Sequence, residues 1–157
     1  GTGKHETTRL CLSTLEKYVD DGSTVLDVGC GSGILGIASI LLGAKSAFGV
    51  DIDPMAVRTA KENAVVNKVE DKFSVVCGDL TEKVEGKYDI IVANIVADAI
   101  IFLSKGVKEF MRDDTVYIMS GIIDTRLSDV EEALKDDFTI IDEIFDNGWY
   151  CIVAKAK

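Results

Sequence analysis

Apolar residues along the 157-residue chain fall into two kinds of run: short β-branched or aromatic stretches, and longer stretches with helical spacing. The short runs predict seven strands, at residues 23–28, 46–52, 72–80, 87–95, 115–121, 138–145 and 149–156. The longer runs predict helices at residues 6–20, 32–44, 96–111 and 124–136, and one that begins at Pro54 behind an Asp53 N-cap. Strands this apolar need cover on both faces, so the order predicts an α/β fold with a doubly wound, mostly parallel sheet.

The last two predicted strands are joined by Asp146, Asn147 and Gly148. Asn-Gly is the strongest short hairpin signal, because both residues tolerate a positive φ. The seven-stranded sheet is therefore expected to close with a C-terminal antiparallel hairpin. No linker or internal repeat divides the sequence, so residues 1–157 are expected to form one domain.

The chain carries 17 basic and 27 acidic residues, a net charge of −10, which argues against direct nucleic-acid binding. Its cysteines do not pair at C-x-x-C spacing and it has one histidine, so we expect no structural metal. Scattered cysteines fit the reducing cytoplasm, and no apolar run approaches the roughly 20 residues of a membrane helix. We therefore expect a cytoplasmic location and no membrane partner, while the oligomeric state stays open.

The segment VLDVGCGSG, residues 25–33, runs from the first predicted strand into a loop with Gly29, Gly31 and Gly33. Glycines in such a loop let a ligand approach the backbone closely. The dinucleotide pattern G-x-G-x-x-G would place its third glycine at Ile34 instead. The loop therefore predicts a cofactor site but departs from the dinucleotide pattern.

Two aspartates flank this loop in the predicted fold. Asp51 ends the second strand, where it suits the ribose hydroxyls of a dinucleotide or of an adenosyl cofactor equally. Asp27 lies just before Gly29, where its carboxylate would repel a pyrophosphate and attract a cofactor with ammonium and sulfonium groups. The pattern D-x-G-x-G-x-G therefore favours S-adenosyl-L-methionine.

These segments resemble the motifs of class I S-adenosylmethionine-dependent methyltransferases, which have a Rossmann-like fold. VLDVGCGSG is similar to their first motif and FGVDID to their second, which implies that Asp51 is the ribose acid and that Ile52 beside it also binds the cofactor. CGDL resembles the segment that meets the adenine edge, here Asp79 and Leu80. YDIIVANI resembles the fourth strand, whose carboxyl end is catalytic in that family.

A narrower resemblance, to the ribosomal protein L11 methyltransferases, covers essentially the whole chain. It rests on GTGKHETTRLCL at the start and NGWYCIVAKA at the end, although Lys4 and Glu6 replace the family's usual Thr and Pro. The resemblance implies that Thr2, Gly3 and His5 line the cofactor pocket. It also implies methyl transfer to lysine side chains and the N-terminal amine of ribosomal protein L11. The family's separate N-terminal substrate-recognition domain is not among these residues, so the chain is expected to be the cofactor-binding domain.

Asn94 and Ile95 are the predicted catalytic residues, and Asn94 is expected to bind the cofactor as well. Methyl transfer is an in-line displacement, so positioning supplies much of the rate. The Asn94 side-chain carbonyl and the Ile95 backbone carbonyl would accept N–H bonds from an amine and turn its lone pair toward the methyl group. Asn94 is also placed to cap the helix predicted from residue 96.

Several alternatives stay open on the sequence. Cys30 in the glycine loop is interpreted as a small turn residue rather than a nucleophile, and Trp149 is expected to pack on the sheet. The chain could act on a different protein or on a small molecule. It could also be a cofactor-binding module without catalysis, or a nicotinamide-dependent oxidoreductase, which Asp27 and Ile34 disfavour.

Overall fold

The computed structural model describes residues 4–157, in which seven strands form one sheet in the order β3-β2-β1-β4-β5-β7-β6. The strands are β1 Thr24–Val28, β2 Ser46–Asp51, β3 Phe73–Cys77, β4 Tyr88–Asn94, β5 Met111–Ile123, β6 Phe138–Asp146 and β7 Trp149–Ala156. The first five run parallel, and β7 runs antiparallel to both of its neighbours. The predicted mostly parallel sheet with a C-terminal hairpin is confirmed.

Helices cover both faces of this sheet. They are α1 Lys4–Tyr18, α2 Ile34–Leu41, α3 Pro54–Val66, α4 Ala97–Ser104 and α5 Leu127–Leu134, with 3₁₀ turns at Val107–Phe110 and Asp124–Arg126. A hydrophobic core lies on each face of the sheet, and the side chains of β1 alternate between the two. Val25 packs with α1, α2 and α3, whereas Leu26 and Val28 pack with α4 and α5. Burial on both faces explains why the parallel strands are continuous apolar runs.

The third helix begins at its predicted cap, whereas the second helix is shorter than the predicted 32–44. The Asp53 side chain accepts a hydrogen bond from the Met55 N–H, so it caps α3 with Pro54 in the first turn. The helix predicted from residue 32 begins later, at Ile34, because Gly33 has a φ of 86°. A left-handed residue cannot lie within a right-handed helix, so the glycine loop extends through Gly33.

The helix predicted over residues 96–111 is wrong in its second half. α4 ends at Ser104, Gly106 leaves the helical region with a φ of −127°, and a 3₁₀ turn follows. Val107 and Phe110 are buried in that turn. Residues three apart share a face in a 3₁₀ turn as well as in an α-helix, so hydrophobic periodicity does not separate the two.

The hairpin between β6 and β7 turns at Asn147 and Gly148, with φ values of 49° and 93°, as the Asn-Gly signal predicts. Trp149 at the start of β7 pairs with Ile123 of β5, next to the carboxyl end of β4. The loops after β1, β2, β3 and β4 therefore meet at one edge, together with the hairpin turn. Of the helices within residues 4–157, none has both the length and the apolar character needed to cross a bilayer.

Candidate active site

A cavity of about 360 Å³ opens at this carboxyl edge of the sheet. It lies between the start of α1, the glycine loop after β1, the loop after β4, the end of β5 and the start of β7. Its lining residues are Thr7, Thr8, Gly29, Cys30, Gly31, Ser32, Ile34, Leu35, Asn94, Ile95, Val96, Gly121 and Trp149. Ligands of doubly wound folds bind at such an edge, at the point where the strand order reverses beside β1.

The glycine loop is held in a left-handed conformation by backbone hydrogen bonds. The N–H groups of Gly29 and Cys30 both donate to the Val50 carbonyl, over 2.8 and 3.0 Å. Gly29 and Gly31 have φ values of 71° and 54°, and a Cβ on Gly31 would meet no atom within 4 Å. The loop therefore presents open backbone on the cavity side.

Gly33 has a different reason to be glycine. A Cβ there would lie 2.9 Å from the Phe73 ring and 3.0 Å from the Ala60 Cβ, closer than real side-chain contacts. The third predicted glycine therefore allows the start of α2 to pack tightly against α3 and β3. It does not line the cavity, whereas the first two predicted glycines do.

Asp27 lies beneath the glycine loop, 1% exposed, and outside the cavity lining. One carboxylate oxygen accepts a hydrogen bond from the Gly36 N–H over 3.1 Å, and the other has no partner in the described part of the chain. The pKa of Asp27 is raised to about 7, mainly by burial and also by the negative charge of Asp51, while the hydrogen bond from the Gly36 N–H acts in the opposite direction. A positive charge bound nearby would stabilise the ionised carboxylate.

Asp51 ends β2 and connects this strand to the glycine loop. Its two carboxylate oxygens accept hydrogen bonds from the N–H groups of Gly31, at 2.8 Å, and Asp53, at 2.9 Å. Each oxygen keeps a second lone pair for a hydroxyl group. The neighbouring Ile52 side chain is 67% exposed and so offers an apolar surface beside that carboxylate.

Asp79 and Leu80 form a turn after β3, outside the cavity. The Gly78 N–H donates to the Asp51 carbonyl, which ties this turn to the end of β2. The Asp79 N–H donates to the Glu82 carboxylate over 3.0 Å. Leu80 has a φ of 48°, a left-handed conformation that is uncommon for a residue with a side chain.

Asn94 and Ile95 extend from β4 into the cavity wall. The N-cap of α4 is Val96 and no side chain caps that helix, so Asn94 does not serve the capping role that its position also allowed. The Ile95 N–H donates to the Ser120 carbonyl of β5 over 3.2 Å. Their neighbour on β5 is Gly121, which also lines the cavity.

The start of α1 supplies the wall opposite the glycine loop. Thr7 and Thr8 line the cavity there, and the Thr7 carbonyl accepts a hydrogen bond from the Ser120 hydroxyl. His5 lies on α1 with its side chain exposed, outside the lining, and its predicted role stays a prediction. Thr2 and Gly3 lie outside the described residues.

Nine of the thirteen lining residues were not predicted as site residues: Thr7, Thr8, Cys30, Ser32, Ile34, Leu35, Val96, Gly121 and Trp149. The two threonines belong to the matched segment GTGKHETT, so the family pattern carried a signal for them. Trp149 packs against the core formed with α1, α2 and α3, as expected, and it borders the cavity as well.

The chemistry of the lining is largely neutral. Burial raises the pKa of the Cys30 thiol well above its ordinary value, which agrees with a turn residue rather than a nucleophile. Among the described lining residues there is no carboxylic acid, histidine or lysine. Within residues 4–157, no group of three or more histidines, cysteines or acids is arranged to hold a metal ion.

A family model described as "Ribosomal protein L11 methyltransferase (PrmA)" matches residues 1–157. Curated relatives named ribosomal protein L11 methyltransferase are 49% identical in Clostridium botulinum strain Eklund 17B and 48% identical in Clostridium perfringens. Each alignment covers 100% of this chain and 50% of the relative. The chain therefore spans half the length of these curated relatives.

Solved structures give the same result at the level of the fold. The crystal structure of ribosomal protein L11 methylase from Lactobacillus delbrueckii subsp. bulgaricus is similar with a TM-score of 0.95 and 35% identity, covering 99% of this chain and 81% of that one. The Bacillus subtilis m1A22 tRNA methyltransferase TrmK has a TM-score of 0.74 at 22% identity, covering 93% of this chain and 65% of that one. The second likeness concerns the fold alone.

Proposed function

The chain belongs to the ribosomal protein L11 methyltransferase family, and from that premise we propose that it binds S-adenosyl-L-methionine and transfers methyl groups to amines of ribosomal protein L11. The observation that carries the proposal is one cavity lined both by the glycine loop and by Asn94 and Ile95. The family assignment also replaces the nicotinamide-dependent oxidoreductase that the glycine loop alone left open. The proposed substrate implies a cytoplasmic location.

The residues along the carboxyl edge fit this cofactor. Gly31 leaves the backbone open to a ligand, and Asp51, which accepts its N–H, has lone pairs free for ribose hydroxyls. The exposed Ile52 side chain offers the cofactor an apolar surface beside Asp51. Asp27 beneath the loop has a raised pKa and an oxygen without a partner among residues 4–157, and a cofactor with two positive groups would favour its ionised form.

We assign the orientation of the amine to Asn94 and Ile95. When bound, S-adenosyl-L-methionine supplies a methyl group on a cationic sulfur. Transfer forms an N–C bond as the S–C bond breaks, so the nitrogen lone pair must point at the methyl carbon. The Asn94 side-chain oxygen and the Ile95 carbonyl each accept an N–H of the amine, and this fixes the direction of the lone pair.

No lining residue among those described is a general base that could accept the amine proton. A lysine amine has a pKa near 10.4, so at neutral pH only a small fraction is the neutral nucleophile. We propose that the proton leaves to solvent. The rate should then follow the neutral fraction of the substrate amine.

Recognition of the protein substrate is assigned to the half of the curated relatives that this chain does not span. The cavity walls account for the cofactor and one amine, whereas orientation of a whole protein needs binding energy from a larger contact area. We therefore propose that residues 1–157 are the cofactor-binding and catalytic part of the function.

Two measurements test the proposal. Titration calorimetry should detect S-adenosylhomocysteine binding and no comparable binding of NAD. Transfer of a tritiated methyl group to L11 should then be measured with the wild-type chain and with Asn94→Ala as the matched inactive control. Binding of NAD in place of S-adenosylhomocysteine would contradict the cofactor assignment, and equal L11 methylation by the wild-type chain and by Asn94→Ala would contradict the catalytic assignment.

A further inference from the structure

We propose that Gly121 is a positioning residue, whose bare backbone sets the location of the Ile95 carbonyl and the Asn94 side-chain oxygen. The inference rests on the proposed function, because it concerns the two groups assigned to the amine. Gly121 lies on β5, across from the end of β4, and it lines the same cavity. Because Gly121 has no side chain, these two oxygen atoms can lie close to its backbone.

Gly121 occupies an irregular point of β5. The pairing register with β7 shifts between Met119 and Ile122, and Gly121 has a φ of +88°. A Cβ built on this residue would lie 2.5 Å from the Ile95 carbonyl oxygen and 3.2 Å from the Asn94 side-chain oxygen. Both proposed amine acceptors therefore lie against the backbone of Gly121, where a side chain would collide with them.

Ile95 is confined from the opposite side as well. A Cβ on Gly29 of the glycine loop would lie 2.6 Å from the Ile95 Cγ2 atom. The Ile95 N–H is tethered to the carbonyl of Ser120, the residue before Gly121. One glycine thus faces the side chain of Ile95, a second faces its carbonyl, and a hydrogen bond holds its amide, so the peptide has little freedom to move.

The expected loss of methylation rate follows from how short the contact of a Gly121 Cβ would be. Ordinary van der Waals contacts of a Cβ begin at 3.4 Å, whereas the contact at Gly121 would be 2.5 Å, so the Ile95 carbonyl or β5 must shift by about 1 Å. A displacement of this size in a positioning group reduces a rate by roughly 100-fold. The glycine loop and Asp51 do not contact Gly121 in this way, so cofactor affinity should change little.

Gly22 provides a matched control, since it has the same φ of +88° and a Cβ there would meet nothing within 4 Å. Gly121→Ala and Gly22→Ala both place a side chain in left-handed backbone, so both should lower the unfolding midpoint. Only Gly121→Ala should lower the rate of L11 methylation, by about 100-fold. In both variants the dissociation constant of S-adenosylhomocysteine should stay within about threefold of wild type.

Nuclear magnetic resonance reports the displacement without any activity. In Gly121→Ala the ¹⁵N signals of the Ile95 amide and the Asn94 carboxamide should move, and in Gly22→Ala they should stay in place. In the wild-type chain the Ile95 amide should be rigid, with an order parameter of about 0.85. This value is measured on the unmodified protein, so it tests the inference even if Gly121→Ala does not fold.

Failure of the proposed function and failure of the Gly121 role would give different results. A wild-type chain that binds S-adenosylhomocysteine but methylates L11 too slowly to measure would agree with substrate recognition outside residues 1–157, and the resonance comparison would then decide the role of Gly121. Methylation by Gly121→Ala at the rate of Gly22→Ala would overturn the positioning role. Unmoved Asn94 and Ile95 signals, or a wild-type Ile95 order parameter below about 0.6, would overturn it as well.

Discussion

Replacement of Asp27 by asparagine should stabilise the ligand-free protein at neutral pH. In acid, where the wild-type Asp27 is protonated, the variant should lose this advantage over the wild type. The side chain is 1% exposed, and one of its oxygens has no hydrogen-bond partner among the described residues. Asparagine keeps the shape and an oxygen that can accept the Gly36 N–H. It removes the buried negative charge, which is the destabilising component in the wild type.

The sign of the effect follows from the pKa of Asp27, which rises from 3.8 to about 7 on folding. Between these values the folded state holds a proton that the unfolded state has lost, so wild-type stability falls as pH rises through this window. The slope approaches 1.36 kcal/mol per pH unit, or about 2–3 kcal/mol from pH 5 to pH 7. Asp27→Asn lacks this contribution.

The assay is urea unfolding at pH 5, 6, 7 and 8, followed by the fluorescence of Trp149, the single tryptophan. Asp71→Asn, at an exposed position, controls for the loss of one acidic charge from a chain of net charge −10. The free energy of unfolding of Asp27→Asn relative to wild type should increase by about 2–3 kcal/mol between pH 5 and pH 7. Parallel pH curves for the two proteins would refute the account of Asp27.

Four further outcomes are expected. Asp51→Ala should weaken S-adenosylmethionine binding by roughly 10- to 150-fold in calorimetry, since it removes charged hydrogen-bond acceptors; an unchanged dissociation constant would remove Asp51 from the site. Asn94→Ala should leave that affinity within a few-fold and lower methyl transfer by at least tenfold, whereas equal losses in both would indicate a structural role. Transfer to L11 lysines should rise about tenfold per pH unit from pH 7 to pH 9, and a plateau in this range would indicate a base on the protein. In tritium transfer the 157-residue chain should methylate L11 much more slowly than the full-length Clostridium botulinum relative, and equal rates would locate substrate recognition within these residues.

The strands and the hairpin were predictable because their signals are local. β-branched runs bounded by turn residues, the Asp53 cap, Pro54 and the Asn147–Gly148 turn each act over a few positions. The end of α4 was not predictable in this way. Burial of Val107 continues the helical spacing although the backbone has already changed to a 3₁₀ turn.

Within the candidate site, the residues at the carboxyl ends of the parallel strands could be predicted from the sequence. Parallel strands bring their carboxyl ends to one edge, so Asp51 and Asn94 were expected there from the order of elements alone. Gly121 and Trp149 reach the cavity because β5 and β7 pair across the sheet, a contact that no local pattern encodes. Asp27 was predicted near a cationic ligand, but its full burial depends on packing by α2, which periodicity does not resolve.

The position of β7 between β5 and β6 has a consequence for how the chain folds. The last strand in sequence occupies an interior place in the sheet, and residues 151–154 are fully buried there. The side chain of Thr14 on α1 lies 3.7 Å from the Cys151 sulfur, a contact between opposite ends of the chain. Native structure dominated by such distant contacts forms slowly, because loop closure precedes the contacts that reward it. During synthesis the edge of β5 would stay unpaired until β7 emerges from the ribosome. An unpaired strand edge promotes aggregation, so the nascent chain would need protection during this time.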